Sequence, residues 1–66
     1  MAFHEDDEVE AADGSLRGVP EGTRGRVVSV TGLSWIRYRV QFANGREINL
    51  VDEKHLRPAS SLEPVR

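Results

Sequence analysis

The run Trp35 to Phe42, WIRYRVQF, alternates apolar and polar residues without a break. Successive side chains of a strand point to opposite faces, so Ile36, Tyr38, Val40 and Phe42 belong to one face and Trp35, Arg37, Arg39 and Gln41 to the other. A helical winding of the same letters would scatter both sets around its circumference. A strand over residues 35–42 is therefore expected, with a core on one side and water on the other.

The neighbouring segments fit that strand. Asn44-Gly45 is the favoured pair for a two-residue type I′ turn, after which REINL is expected to return with Ile48 and Leu50 facing the core. TRGRVVSV is β-branched and lies among glycines, which suits a further strand, with a bulge where the consecutive Val27 and Val28 break the alternation. EVEAAD alternates Val9 and Ala11 with polar residues and predicts a short first strand. Between these two, Gly14, Gly18, Pro20 and Gly22 mark a long loop with Leu16 or Val19 tucked beneath it. VDEKHL predicts one helical turn capped by Asp52, with Leu56 closing the core and Arg57 opening a last short strand that Pro58 ends. No segment carries the apolar period of an amphipathic helix.

A chain of 66 residues makes one small domain, and a domain of this size buries only about 60% of the surface its unfolded chain exposes. Without cysteine it has no disulfides or thiolate zinc site to draw on. The pattern predicts an all-β domain, a small five-stranded barrel over residues 9–58 with a short helical turn before the last strand. Residues 1–8 are expected to form a mobile acidic start and residues 59–66 a mobile tail. This layout resembles an SH3-like barrel. In GVPEGTRGRVVSV, the spacing of Gly18, Gly22, Gly25, Val27 and Val30 is similar to the KOW element of ribosomal and transcription-elongation proteins. The chain also looks like the small barrel-type component of photosystem I and like small bacterial SH3-like barrels. The KOW likeness implies an RNA- or DNA-binding barrel.

The glycines have a physical reading of their own. Gly22 and Gly25 flank the point where loop becomes strand, where a Cβ would restrict backbone angles and close approach. Anion-binding glycine loops lead into a helix N-terminus, whereas a strand follows here, so a nucleotide site is not expected.

The net charge of −2 conceals segregation. Residues 1–15 hold Glu5, Asp6, Asp7, Glu8, Glu10 and Asp13 and no Lys or Arg, whereas residues 16–46 hold Arg17, Arg24, Arg26, Arg37, Arg39 and Arg46 against Glu21 alone. The local field therefore matters more than the mean. The preference for arginine over lysine is what a GC-rich genome produces without any function. No apolar run approaches the roughly 20 residues that cross a bilayer, and the acidic start does not resemble a secretory signal, so a cytoplasmic protein with no membrane partner is expected.

The chemistry-bearing residues are sparse. His4 and His55 lack the spacing and companions of a zinc site, and the acidic start lacks the glycine punctuation of a calcium loop, so neither metal nor cofactor is expected. Ser29, Ser34, Ser60 and Ser61 have no paired histidine in view, and a side-chain-filled barrel leaves little room for a substrate cavity, so the chain is not expected to be an enzyme.

What remains is the arginine face. Residues i and i+2 of a strand lie about 6.6 Å apart, which sets Trp35, Arg37, Arg39 and Gln41 in a row, with Arg24 and Arg26 expected beside them on the paired strand. Such a row suits carboxylates of a protein partner, or phosphates with Trp35 stacking on a base. It also suits a solvated face whose guanidiniums pair with Glu47 or with the acidic start, which is then expected to screen them. The leading expectation is a non-catalytic interaction module docking on a larger assembly through this face. The alternative is a KOW-like nucleic-acid-binding barrel in transcription or translation.

Overall fold

A computed structural model describes residues 3–59 of the chain. It holds five strands, β1 (Glu8–Ala11), β2 (Arg24–Thr31), β3 (Arg37–Phe42), β4 (Glu47–Asp52) and β5 (Leu56–Pro58), with a 3₁₀ turn over Glu53–His55 between the last two. All neighbours pair antiparallel in the order β4-β3-β2-β1-β5. The all-β class, the strand count and the position of the helical turn are as the sequence pattern predicts. No helix among the described residues is long and apolar enough to cross a membrane.

One expectation is corrected at the edges. The hydrogen-bonded ladder does not close into a barrel, because β4 and β5 end the order without pairing to each other. β5 is three residues long and ends in Pro58, which has no N–H, so it offers little ladder to a partner strand. The sheet instead curls around its core. Val9 and Ala11 of β1, Val27 of β2, Tyr38, Val40 and Phe42 of β3, Val51 of β4 and Leu56 of β5 all enter one buried cluster. Val19 lies beneath the long β1–β2 loop as expected, with Leu16 packed beside it.

Two bulges decide which residues face inward. In β2, Val27 stands opposite Val40 and Ser29 opposite Arg39, with the register shifted between them. The extra residue turns Val28 outward and brings Val30 back against the core, which is the bulge predicted at Val27-Val28. In β4, Tyr38 faces Val51 and Val40 faces Ile48, so three β4 steps span two of β3. The extra residue falls at Asn49-Leu50, where Leu50 adopts φ +58° and its N–H donates to the Asn49 Oδ1 at 3.0 Å. Leu50, expected inward, is therefore 58% exposed, and Val51 takes its place in the core.

The β3–β4 connection also differs from the predicted turn. Phe42 C=O accepts from Gly45 N–H, Phe42 N–H donates to Arg46 C=O, and Gly45 has a positive φ while Asn44 does not. This is a three-residue loop closed by a left-handed glycine rather than a type I′ pair. Asn44 is occupied elsewhere: its Nδ2 donates to the Gly18 carbonyl at 2.9 Å and its Oδ1 accepts from Arg46 N–H. That clamp ties the hairpin tip to the β1–β2 loop. Gly18 is required there, since its φ is +76° and an added Cβ would run into the Arg46 guanidinium.

The acidic start is part of the fold, which moves the expected boundary from residue 9 back to Phe3. Phe3 is buried, meets the Tyr38 ring edge-to-face at 5.6 Å, and donates its N–H to the Tyr38 hydroxyl at 3.3 Å. A turn over residues 4–7 makes this possible, with His4 N–H donating to Asp7 Oδ2 and Asp7 N–H to His4 C=O. Asp6 and Asp7 then exchange backbone hydrogen bonds with Val27 beside its bulge. At the other end, residues 60–66 of the predicted mobile tail lie outside the described residues, as do residues 1 and 2.

Phe3 is one of few large core side chains, so Phe3→Ala is expected to lower unfolding free energy by about 3 kcal/mol, the low end for such truncations. A urea titration checks this. A loss below about 0.5 kcal/mol, the range of neutral surface changes, would show that the start is not anchored.

Candidate functional site

The outer face of the sheet follows from the register. Gly25, Val27, Tyr38, Val40, Phe42 and Val51 point inward, so Arg24 and Arg26 of β2 and Arg37, Arg39 and Gln41 of β3 point outward. Arg26 stands opposite Gln41, and Thr31 opposite Arg37. Trp35 precedes β3 instead of lying in it, yet it joins the same face through Arg37, whose guanidinium carbon lies 3.7 Å from the indole centroid. The structure thus brings the six expected residues onto one face.

That face is not a bare row of cations. Glu8 of β1 reaches Arg24 at 3.4 Å and Arg26 at 3.9 Å, and Glu47 of β4 reaches Arg39 at 3.6 Å. Beyond β1, Arg57 pairs with Glu10 at 3.0 Å and with Glu21 at 3.6 Å. Of the acidic start, Glu8, the last acid before the first core residue of β1, is the one that reaches Arg24 and Arg26. Glu10 is largely buried, but in the Arg24, Arg26 and Arg39 pairs both partners are solvated and each contributes at most about 1 kcal/mol, so these shape the local field more than they hold the sheet.

At the opposite end of the face, Trp35 is 58% exposed but not loose. Its Nε1–H donates to Asp52 Oδ2 at 3.0 Å while Arg37 covers the ring. Asp52 also caps the 3₁₀ turn by accepting from Lys54 N–H. The Lys54 hydrogen bond, then the Trp35 indole, hold the Asp52 carboxyl below its usual pKa. Leu33, at the tip of the β2–β3 connection, is 99% exposed. Gly32 turns this connection with φ +101°, and an added Cβ would strike the Trp35 carbonyl oxygen.

One constellation was missed from the sequence. Asp13, Ser15 and His55 meet where the β1–β2 loop touches the 3₁₀ turn. Ser15 Oγ donates to Asp13 Oδ1 at 2.7 Å, and both Ser15 Oγ at 2.8 Å and Asp13 Oδ2 at 3.2 Å lie on His55 Nδ1. With the hydroxyl hydrogen directed at the carboxylate, the tautomer with hydrogen on Nδ1 satisfies both oxygens, and in that tautomer Nδ1 donates to Ser15 Oγ where a nucleophile's base would accept from it. The cluster is a tie between loop and turn, strengthened by Ala12 N–H donating to His55 C=O. Among the described residues no three His, Asp or Glu side chains converge as a metal site.

No family model matches the chain, and neither the curated proteins nor the solved structures contain a match to it.

The Asp13 tie has a definite pH signature. Hydrogen bonds from the Ser15 hydroxyl, the Ser15 N–H and then His55 hold the Asp13 carboxyl down from 3.8 to about 2. Its proton is bound more weakly in the folded protein than in the unfolded chain, so the tie stabilises fully above pH 3.8 and is lost as pH falls toward about 2. Urea midpoints of the native protein and Asp13→Ala are expected to differ above that window and to converge below it. A gap independent of pH would show that the carboxylate's charge is not involved.

Proposed function

We propose that this chain is a non-catalytic interaction module that docks on a larger protein assembly through the outer face of β2 and β3. The observation that carries the reading is the Asp52–Trp35–Arg37 stack, an exposed indole held in one orientation by a hydrogen bond below and a guanidinium above. Tryptophan and arginine dominate the energetic centres of protein interfaces, and side chains ordered beforehand lose little entropy on binding. The nearly free Leu33 adds apolar surface that a partner would cover.

The charge pattern favours a protein over a nucleic acid. Glu8, Glu47 and Asp52 stand among Arg24, Arg26, Arg37 and Arg39, so a phosphate backbone laid across the face would meet carboxylates along its path. A protein surface bearing both signs can match such a pattern. The strand order β4-β3-β2-β1-β5 and the 3₁₀ turn before β5 support placing the module with SH3-like folds. A cytoplasmic setting goes with the reading, because a domain without cysteine gains no disulfide from an oxidising compartment.

Affinity capture from native cell extract, with and without nuclease, tests this. The native protein is expected to retain a protein partner after nuclease treatment, and Trp35→Ala with Arg37→Ala is expected to reduce capture about tenfold or more. Material that vanishes with nuclease and falls steeply with salt would instead establish the KOW-like alternative.

A further inference from the structure

Away from Trp35, the outer face carries an open groove of about 430 Å³ where β1, β2 and β3 meet. Arg24, Arg26 and Glu8 supply its charged lining, and Val28, Phe42 and Ala43 its apolar lining. We propose that this groove receives an extended, acidic segment of the protein partner, one that sets a carboxylate beside an aliphatic side chain, and that Glu8 is an internal stand-in which the partner's carboxylate displaces. The inference deepens the docking reading above and rests on it.

The groove is already a carboxylate site. Arg24 and Arg26 lie two residues apart on one face of β2, and a single carboxylate bridges them. The fit is loose: 3.4 and 3.9 Å against the roughly 2.7–2.9 Å of a well-formed guanidinium–carboxylate hydrogen bond. The Glu8 side chain springs from β1, whose backbone is fixed by pairing Glu8 with Arg26 and Val9 with Gly25, so its carboxylate reaches the arginines only from that tethered position. A segment lying in the groove is under no such tether. All three side chains are more than half exposed, so exchanging one carboxylate for another adds little desolvation.

The apolar lining narrows the partner further. Val28 faces solvent because of the β2 bulge, and beside it Ala43, the residue after β3, is exposed above the buried Phe42. The groove thus pairs two guanidiniums with a patch for an aliphatic group. That combination matches an acidic-apolar peptide and leaves a sugar-phosphate chain with an unmatched apolar wall.

The test is an amide-shift titration of the full chain with a blocked peptide of alternating leucine and glutamate. The same peptide with glutamine for glutamate and an oligouridylate serve as comparisons. The acidic peptide alone is expected to move the amides of residues 24–28, 42 and 43. Glu8→Gln should tighten its binding about two- to fivefold, the worth of a solvated ion pair. Arg24→Ala with Arg26→Ala should weaken it about tenfold or more. Unfolding cannot imitate the gain of affinity. Equal binding of the glutamine peptide, stronger binding of the oligouridylate, or unchanged affinity in Glu8→Gln would overturn the inference. A captured partner retained equally by the Arg24→Ala, Arg26→Ala protein would sink the groove alone and leave the docking reading intact.

Discussion

Strand β3, paired on both sides by β2 and β4, buries Tyr38, Val40 and Phe42 almost completely, and the rest of the molecule is arranged to let it do so. A chain this small has few large apolar side chains, so the inward positions Tyr38 and Val40 of β3 are each met by an apolar residue on both neighbours. On the β2 side that demand places Val27 opposite Val40 and Val30 opposite Tyr38, and on the β4 side Ile48 and Val51. Neither neighbour has the uninterrupted alternation to do this, and each solves the mismatch with one extra residue. The β2 bulge keeps two valines inward, while the β4 bulge places Leu50 at φ +58° so that Val51 can turn in. A leucine held in the left-handed region strains the backbone by about 1–2 kcal/mol, which the burial of Val51 against Tyr38 offsets.

The same two-sidedness explains why the candidate face residues cluster. Once Tyr38, Val40 and Phe42 are inside, Arg37, Arg39 and Gln41 are outside by the geometry of the pleat, and the pairing with β2 sets Arg26 against Gln41. β1 then delivers Glu8 to Arg26, because Val9 beside it must point into the core. A basic face interleaved with acids is thus a consequence of antiparallel pairing between an arginine-bearing strand and strands that carry glutamate at outward positions.

The legible parts of this structure were those in which one local pattern had one outcome. The alternation of β3, the bulge at Val27-Val28 and the turn capped by Asp52 each follow from a few adjacent letters. The misses depended on partners distant in sequence. Asn44-Gly45 forms a different loop while Asn44 serves the Gly18 carbonyl, 26 residues away. Leu50 and Val51 are equally apolar, and only the register against β3 decides between them. Phe3 stands alone in a charged run with no period to mark it, although a lone aromatic among acids in a chain with so few aromatics was a signal that could have been used. Asp13, Ser15 and His55 meet across some 40 residues of sequence. Of the candidate face, membership was readable, but its internal neutralisation by Glu8 and Glu47 required knowing which strands neighbour β2 and β3.

That neutralisation bears on how the face would select a partner. A bare arginine row attracts any polyanion, and its affinity is governed by salt rather than by shape. Pairing Arg24, Arg26 and Arg39 with acids of the same sheet lowers that indiscriminate attraction, since an incoming anion must replace a carboxylate already in place. A ligand of this face would then need to offer something besides charge, such as an apolar group for the Val28–Ala43 patch or a surface that covers Leu33 and Trp35. The loose 3.4 and 3.9 Å contacts of Glu8 make this discrimination reversible: strong enough to discourage weakly matched anions, weak enough for a better-placed carboxylate to win. Because Glu8 is held by β1 and β1 leads directly back to the Phe3 anchor, the acid that guards the groove is fixed by the same burial that stabilises the core.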